Sequence, residues 1–477
     1  MIRLLDAVIR RGELSKNEHS QLCQLRSTLC ERFVLSFKAL DESDPLQTKY
    51  CLFFSLALSM LARDYRTGVA GTRDLIKCAG YAQQCINGEK KLNIPKADGY
   101  LQVALCLNAR MEDMLNVTDT KMNGTLPFSS QLADAVREAV RDYHEGSMYK
   151  RDEAVRTFRR NLFPRWKPGL GNVLACCDIF QIILEAAYEK YVSAANQNNQ
   201  NYQEIARLGY VSKAYLVLAA IGTSGGALNL LAQMLINQAN QYEADQRISF
   251  FRRHPDIDTF VQQHAAPYGW PLNDNYALAY RVLQSVCGIQ RGSQPYSHMK
   301  KAELVLKGYV SESSSTQLTS LNIAINGGLA MGHYWKGRLL LEQAKQDHDR
   351  CNDYKDAAIA SFCATNVTER FDHLPENADE DAAPQLSPPQ WLSAIELLRY
   401  PDRAVFRVDR RMVFQTIYQK LTQQVEEVQS DNIQIHNDRY RLTKKDVRSN
   451  LERCLDMVKA QFPDKEPLIQ KMIRSIR

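Results

Sequence analysis

Glycine and proline are sparse, 22 and 16 among 477 residues, so turns are few and the stretches between them are long. That scarcity argues against the many short strands of an all-β protein and in favour of helices. No Gly-rich phosphate loop, kinase signature or dinucleotide fingerprint occurs. No CxxC pair is answered by a second half that would complete a zinc site, so neither a cofactor nor a metal is expected. Charge of a single sign is scarce as well: 60 Lys and Arg against 54 Asp and Glu leave +6. The bases alternate with acids at helical spacing, unlike the dense cationic face of a dedicated nucleic-acid binder. The opening run MIRLLDAVIRRGELSKNEH carries charges through its apolar positions and reads as no secretory leader.

What is present is globular: 45% hydrophobic and 24% charged residues, in a chain long enough for two or three domains. Twelve cysteines show no disulfide-framework spacing. Cys23 and Cys30, like Cys78 and Cys85, stand seven apart, on one helix face among apolar neighbours, which suits reduced core thiols. The expectation is a cytoplasmic protein, of the producing cell or, if secreted, of a host cell.

Apolar residues recur at three- and four-residue steps nearly throughout, and the expected fold class is all-α. Residues 1–45 read as N-terminal helices and 46–371 as a helical body. Residues 372–390 (DHLPENADEDAAPQLSPPQ) read as an acidic, proline-rich linker, and 391–477 as a basic helical segment. That last segment holds 17 Lys and Arg against 12 Asp and Glu, five of the six net charges. Its final LIQKMIRSIR is a short amphipathic turn or two that either docks on the body or meets a partner or an anionic membrane surface.

The most specific pattern is LARDYRTGVAGTRDLIKCAGYAQQCING at 61–88. Ala62, Tyr65 and Gly68 mark a first helix and its glycine turn; Asp74 opens a second helix whose Cys78, Tyr81 and Cys85 face back, making an αα-hairpin. The order Ala62, Tyr65, Gly68, Asp74, Lys77-Cys78, Tyr81, Gly88 resembles the Sel-like repeats of the tetratricopeptide superfamily. It departs from that pattern at Ala62, where glycine is usual, and at Cys78 and Cys85, where alanine is usual. Residues 329–365 echo the order through Met331-Gly332, Trp335, Lys355-Asp356-Ala357-Ala358 and Phe362. Residues 276–310 do so more faintly, through Cys287-Gly288, Gly292, Lys301-Ala302 and Val305. The resemblance implies a solenoid-like body of stacked hairpins whose surface binds a protein partner. Tyr65, Tyr81, Tyr334 and Trp335 would then be packing or groove residues. In its degenerate helical repeats, abundant Asn and Gln, and unique linkers, the chain also resembles proteins that intracellular bacteria secrete into host cells.

Two other classes of function stay open. Gly222-Thr223-Ser224-Gly225-Gly226 has the spacing of a nucleophile elbow, with Ser224 and His264 as candidate catalytic residues of a helical enzyme or small-ligand pocket. A buried helical hairpin turning at those glycines is the competing account. Lys150 to Lys167 carries seven bases against two acids, and Arg156, Arg159 and Arg160 with interleaved Phe158, Phe163 and Trp166 could hold phosphate of a nucleic acid or an anionic lipid. Ala214 to Ile236 runs 23 residues without a charge, but its Asn229, Gln233, Ser224 and glycines suit a protein core better than a transmembrane span. His254, Asp256, Asp258 and His264, and likewise Asp347, His348, Asp349, Cys351 and Asp353, read as solvated turns and caps before metal ligands.

Overall fold

The computed structural model describes residues 16–69, 71–92, 98–116, 130–145, 183–185, 187–222, 224–245, 274–289, 295–372, 386–400, 406–429 and 444–476, together with Ile2, Leu5, Asp6, Ile9, Leu126, Phe128 and Pro384. Every regular element among them is helical. They form two compact units, divided between Ser297 and His298.

In the N-terminal unit, successive helices pack as neighbours: α1 (Lys16–Lys38), α2 (Pro45–Thr67), α3 (Leu75–Lys91) and α4 (Asp98–Asn116). The α2/α3 hairpin is the one anticipated at 61–88. Asp44 accepts a hydrogen bond from the Leu46 N–H, and Pro45 sets the first helical φ. At the other end Gly68 adopts φ 71°, where a side chain would be strained, and its N–H returns to the Asp64 carbonyl. Asp74 then caps α3 by accepting from the Ile76 and Lys77 N–H groups, while its own N–H donates to the Tyr65 carbonyl at 2.9 Å. The turn is thus fixed by two residues of the sequence motif, each for a separate backbone reason. Phe37 of α1 stacks on Phe54 of α2 at 4.4 Å over Cys30, Leu58, Leu61 and Cys85, all fully buried. Burial lifts the Cys30 thiol to about 12.

α4 also packs on α6 (Gln200–Ile221), which receives α5 (Ser130–Glu145) as well. Ser212 donates to the Ala104 carbonyl at 3.0 Å and to Asn108 Oδ1 at 2.8 Å, joining α6 to α4. α7 (Gly225–Asp245) pairs with α8 (Asn275–Ile289). The uncharged run 214–236 is therefore two helices of a core that turn at Gly222. No helix among the described residues is long and apolar enough to cross a membrane.

The C-terminal unit takes up α9 (Pro295–Leu306) from His298 onward, then α10 (Ser314–Asn326), α11 (Ala330–Gln346), α12 (Cys351–Cys363) and α13 (Val367–Asp372). After residues 373–383, which lie outside the described set, come α14 (Pro388–Leu398), α15 (Arg410–Gln429), α16 (Lys444–Gln461) and α17 (Glu466–Ser475). α11 and α12 form a second close hairpin, matching the echo at 329–365. At Gly337 a Cβ would sit 2.5 Å from the Phe362 ring, so only glycine admits that buried ring.

The boundary expected at 372–390 does not part the two units. α14 packs against α11, α12 and α13, and Pro389 to Leu398 is buried without interruption. An acidic, proline-rich composition marked a connection, but the apolar helix after it needs the helices before it for cover. The final amphipathic helix, α17, docks within this unit on α16 and α15, with Ile469 and Ile476 buried.

Candidate functional site

The C-terminal unit gathers charge around one buried carboxylate. α11 places Met331, Tyr334, Trp335, Arg338, Leu341 and Lys345 along one face by steps of three and four. α14 brings Glu396, with Arg399 at its C-terminal cap, and α16 brings Lys445, Ser449 and Arg453 at four-residue steps. Glu396 is only 1% exposed. Arg399 Nη1 donates to its Oε2 at 3.0 Å and Arg453 Nη1 to its Oε1 at 3.4 Å, while Arg338 Nε stands 3.8 Å away. The Tyr334 hydroxyl accepts from Arg338 Nη1 at 3.2 Å and from Arg453 Nη1 at 3.0 Å, and Arg453 Nη2 donates to Ser449 at 3.2 Å. Burial works against the charge of Arg338, but Tyr334 and Glu396 outweigh it, and its pKa is raised.

Two cavities open on this cluster and share Arg338 and Arg453 as a common wall. The first, about 240 Å³, is bordered by aromatic Tyr309, Tyr334 and Trp335 and by Lys300, Lys307 and Lys445. Its cations are held in place: Lys307 pairs with Glu303 at 2.9 Å and Asp446 at 2.7 Å, and Lys300 pairs with Glu303 at 2.8 Å. Burial alone would raise the Glu303 carboxyl; the two lysines overcome it and hold the group down at about 2. Lys445 lies over the Tyr309 ring at 4.7 Å, and Lys307 over Trp335 at 5.9 Å. Trp335 is 8% exposed and its indole N–H has no hydrogen-bond partner, which costs about 1–3 kcal/mol while it stays so. The second cavity, about 410 Å³, is bordered by Arg338, Arg399, Arg453, Lys345, Lys355 and His348.

Guanidinium and ammonium groups with fixed partners bind and orient anions, and an arginine never serves as a proton donor or acceptor near neutral pH. What these arginines and lysines offer is anion binding.

Of the residues singled out from sequence, Tyr334 and Trp335 line the first cavity. Tyr65 and Tyr81 belong to the N-terminal unit, where they stack at 5.6 Å and both hydroxyls donate to Glu31 Oε1, at 2.7 and 3.4 Å. They staple α2 and α3 onto α1. Ser224 is buried; it donates to Asp98 at 3.1 Å, and its Oγ and carbonyl accept from the Ala227 and Leu228 N–H groups at the start of α7. The residues before it are helical, where an elbow would need a strand. His264, Arg156, Arg159 and Arg160 lie outside the described residues. Asp347 accepts from the Arg350 N–H, and no three His, Cys, Asp or Glu side chains gather as metal ligands among the described residues. Arg338, Glu396, Arg399 and Arg453 were not singled out. The signal was the lone acid inside the apolar run WLSAIELL, since a charge on an otherwise buried helix requires partners.

No protein-family model, curated protein or solved structure matches the chain.

Proposed function

We propose that this protein is a helical adaptor that binds another protein, and that the aromatic and cationic cavity of the C-terminal unit receives an acidic segment of that partner. The observation that carries the reading is the wall of that cavity: rigid aromatic faces at Tyr309, Tyr334 and Trp335 set between lysines and arginines whose positions are fixed by ion pairs. Aromatic and arginine side chains on preorganised elements lose little entropy on contact, which is why they dominate recognition surfaces. The Sel-like reading of 61–88 belongs to the same proposal: Gly68 and Asp74 shape a hairpin of the kind that such repeats stack for partner binding. All ten described cysteines are free thiols, in keeping with a reducing compartment such as the cytoplasm.

The test is comparative capture from cell lysate with the full chain, its Lys445→Glu variant and a Lys49→Glu control in the N-terminal unit. Lys445 and Lys49 are both exposed, so neither change threatens the fold. Loss of a stoichiometric partner with Lys445→Glu alone is the expected result. Equal retention by all three proteins would refute the cavity as the docking site.

A further inference from the structure

Three guanidinium groups share the single charge of Glu396, which leaves two positive charges around it without a carboxylate. The second cavity adds Lys355, which has no ion-pair partner among the described residues, and Lys345, whose charge is met by Glu342 at 2.8 Å. Its wall therefore carries a local excess of three. The cluster is preorganised in two respects. Tyr334 pins Arg338 and Arg453 by hydrogen bonds to their Nη1 atoms, and Glu396, buried beneath, holds all three guanidinium groups within 3.8 Å. Neither support consumes every donor: among the described residues Arg338 Nη2, Arg399 Nε and Nη2, and Arg453 Nε have no acceptor, and these side chains remain 14%, 33% and 23% exposed. Next door, across the shared Arg338 and Arg453, Trp335 and Tyr334 border the first cavity with their rings.

From this geometry we infer that the Arg338/Arg399/Arg453 cluster binds the phosphate monoester dianion of a ligand whose carrier group lies against Trp335 and Tyr334 in the adjoining cavity. Charge decides between phosphate and carboxylate. A carboxylate would leave the three arginines over Glu396 with one unmet positive charge, whereas a phosphate monoester brings about −1.5 to −2 near pH 7 and several strong acceptor oxygens. The inference rests on the recognition reading of this site and names the group recognised.

The experiment uses the full chain and two probes sharing one ring, phenyl phosphate and benzoate, titrated by calorimetry, with inorganic phosphate as a third. Phenyl phosphate binds at least tenfold more tightly than benzoate. With the imidazole on the same wall removed by His348→Gln, its affinity rises several-fold between pH 5 and pH 7.5, as the second phosphate proton leaves at about 6, while benzoate affinity does not rise. Arg399→Gln and Lys355→Gln, both on partly exposed side chains, each weaken phenyl phosphate at least fivefold and leave the thermal midpoint within a few degrees. Inorganic phosphate competes, and more weakly than phenyl phosphate because it lacks the ring. Equal affinity for benzoate, a flat pH profile, or binding indifferent to both substitutions would each overturn the inference. Capture of a protein partner that depends on Lys445 but resists competition by phenyl phosphate would overturn it while leaving the adaptor reading in place. Phenyl phosphate binding with no Lys445-dependent capture would do the reverse.

Discussion

At the scale of single residues, buried charges do most to specify this protein. Arg26, 2% exposed, donates to Asp6 at 2.7 Å and to Asp64 at 2.6 Å, and Ser27 donates to the second oxygen of Asp64 at 2.7 Å. Removing one partner strands a buried charge, so Arg26→Met is expected to destabilise the N-terminal unit by about 3–5 kcal/mol, measured by urea denaturation. The double change Arg26→Met with Asp64→Asn should cost less than the sum of the two single changes. Glu89 is the opposite case, a carboxyl with no cation paired to it among the described residues. Burial, followed by the charge of Asp98, raises it to about 8, although Ser55 donates to it at 2.7 Å and the Gly99 N–H at 3.3 Å. Between the ordinary carboxylate pKa near 4.5 and about 8 the unfolded chain gives up a proton that the folded chain keeps, so stability falls as pH rises through that window. Glu89→Gln should flatten the fall, read from denaturation midpoints at pH 5, 6.5 and 8. An unchanged slope would place the titrating group elsewhere.

At the scale of elements, the hairpins were legible wherever a backbone requirement leaves a residue-specific mark. Gly68 and Asp74 could be read as stop and start because a left-handed φ and an uncapped helix end each select a narrow set of side chains. The three- and four-residue recurrence of apolar side chains takes shape as helices such as Arg410–Gln429 and Ser130–Glu145. The guanidinium cluster was not legible, because Arg338, Glu396 and Arg453 lie on three helices far apart in sequence and nothing local pairs them. Ser224 shows the converse failing: its spacing suggests an elbow, but such spacing serves equally well to turn one helix into another. The close approach at Gly337 gives an element-scale test. A Cβ there meets the Phe362 ring at 2.5 Å, so Gly337→Ala should destabilise the α11/α12 hairpin by about 1–3 kcal/mol through overpacking. Pairing it with Phe362→Leu should recover part of that loss in thermal melts.

At the scale of the whole molecule, 477 residues divide into two units that each bury their own core. The division falls at Ser297, inside the first turn of a helix and in a stretch without an acidic residue, whereas the conspicuous linker-like segment at 372–390 joins helices of one unit. Composition reports whether a connection is solvated; it does not report whether the helices on either side need each other. Two cores predict more than one calorimetric transition. Arg26→Met should lower one transition and Gly337→Ala the other, and a single transition lowered by both would show that the units melt as one.

Arg338 and Arg453 form one wall with a cavity on each side. An occupant that draws either guanidinium toward itself alters the donors presented to the other cavity, so the two chambers are thermodynamically linked. By reciprocity, whatever factor an anion in the second cavity imposes on affinity in the first is returned in equal measure. The two chambers thus report on one another through two shared side chains, with the coupling set by the tyrosine that holds both arginines.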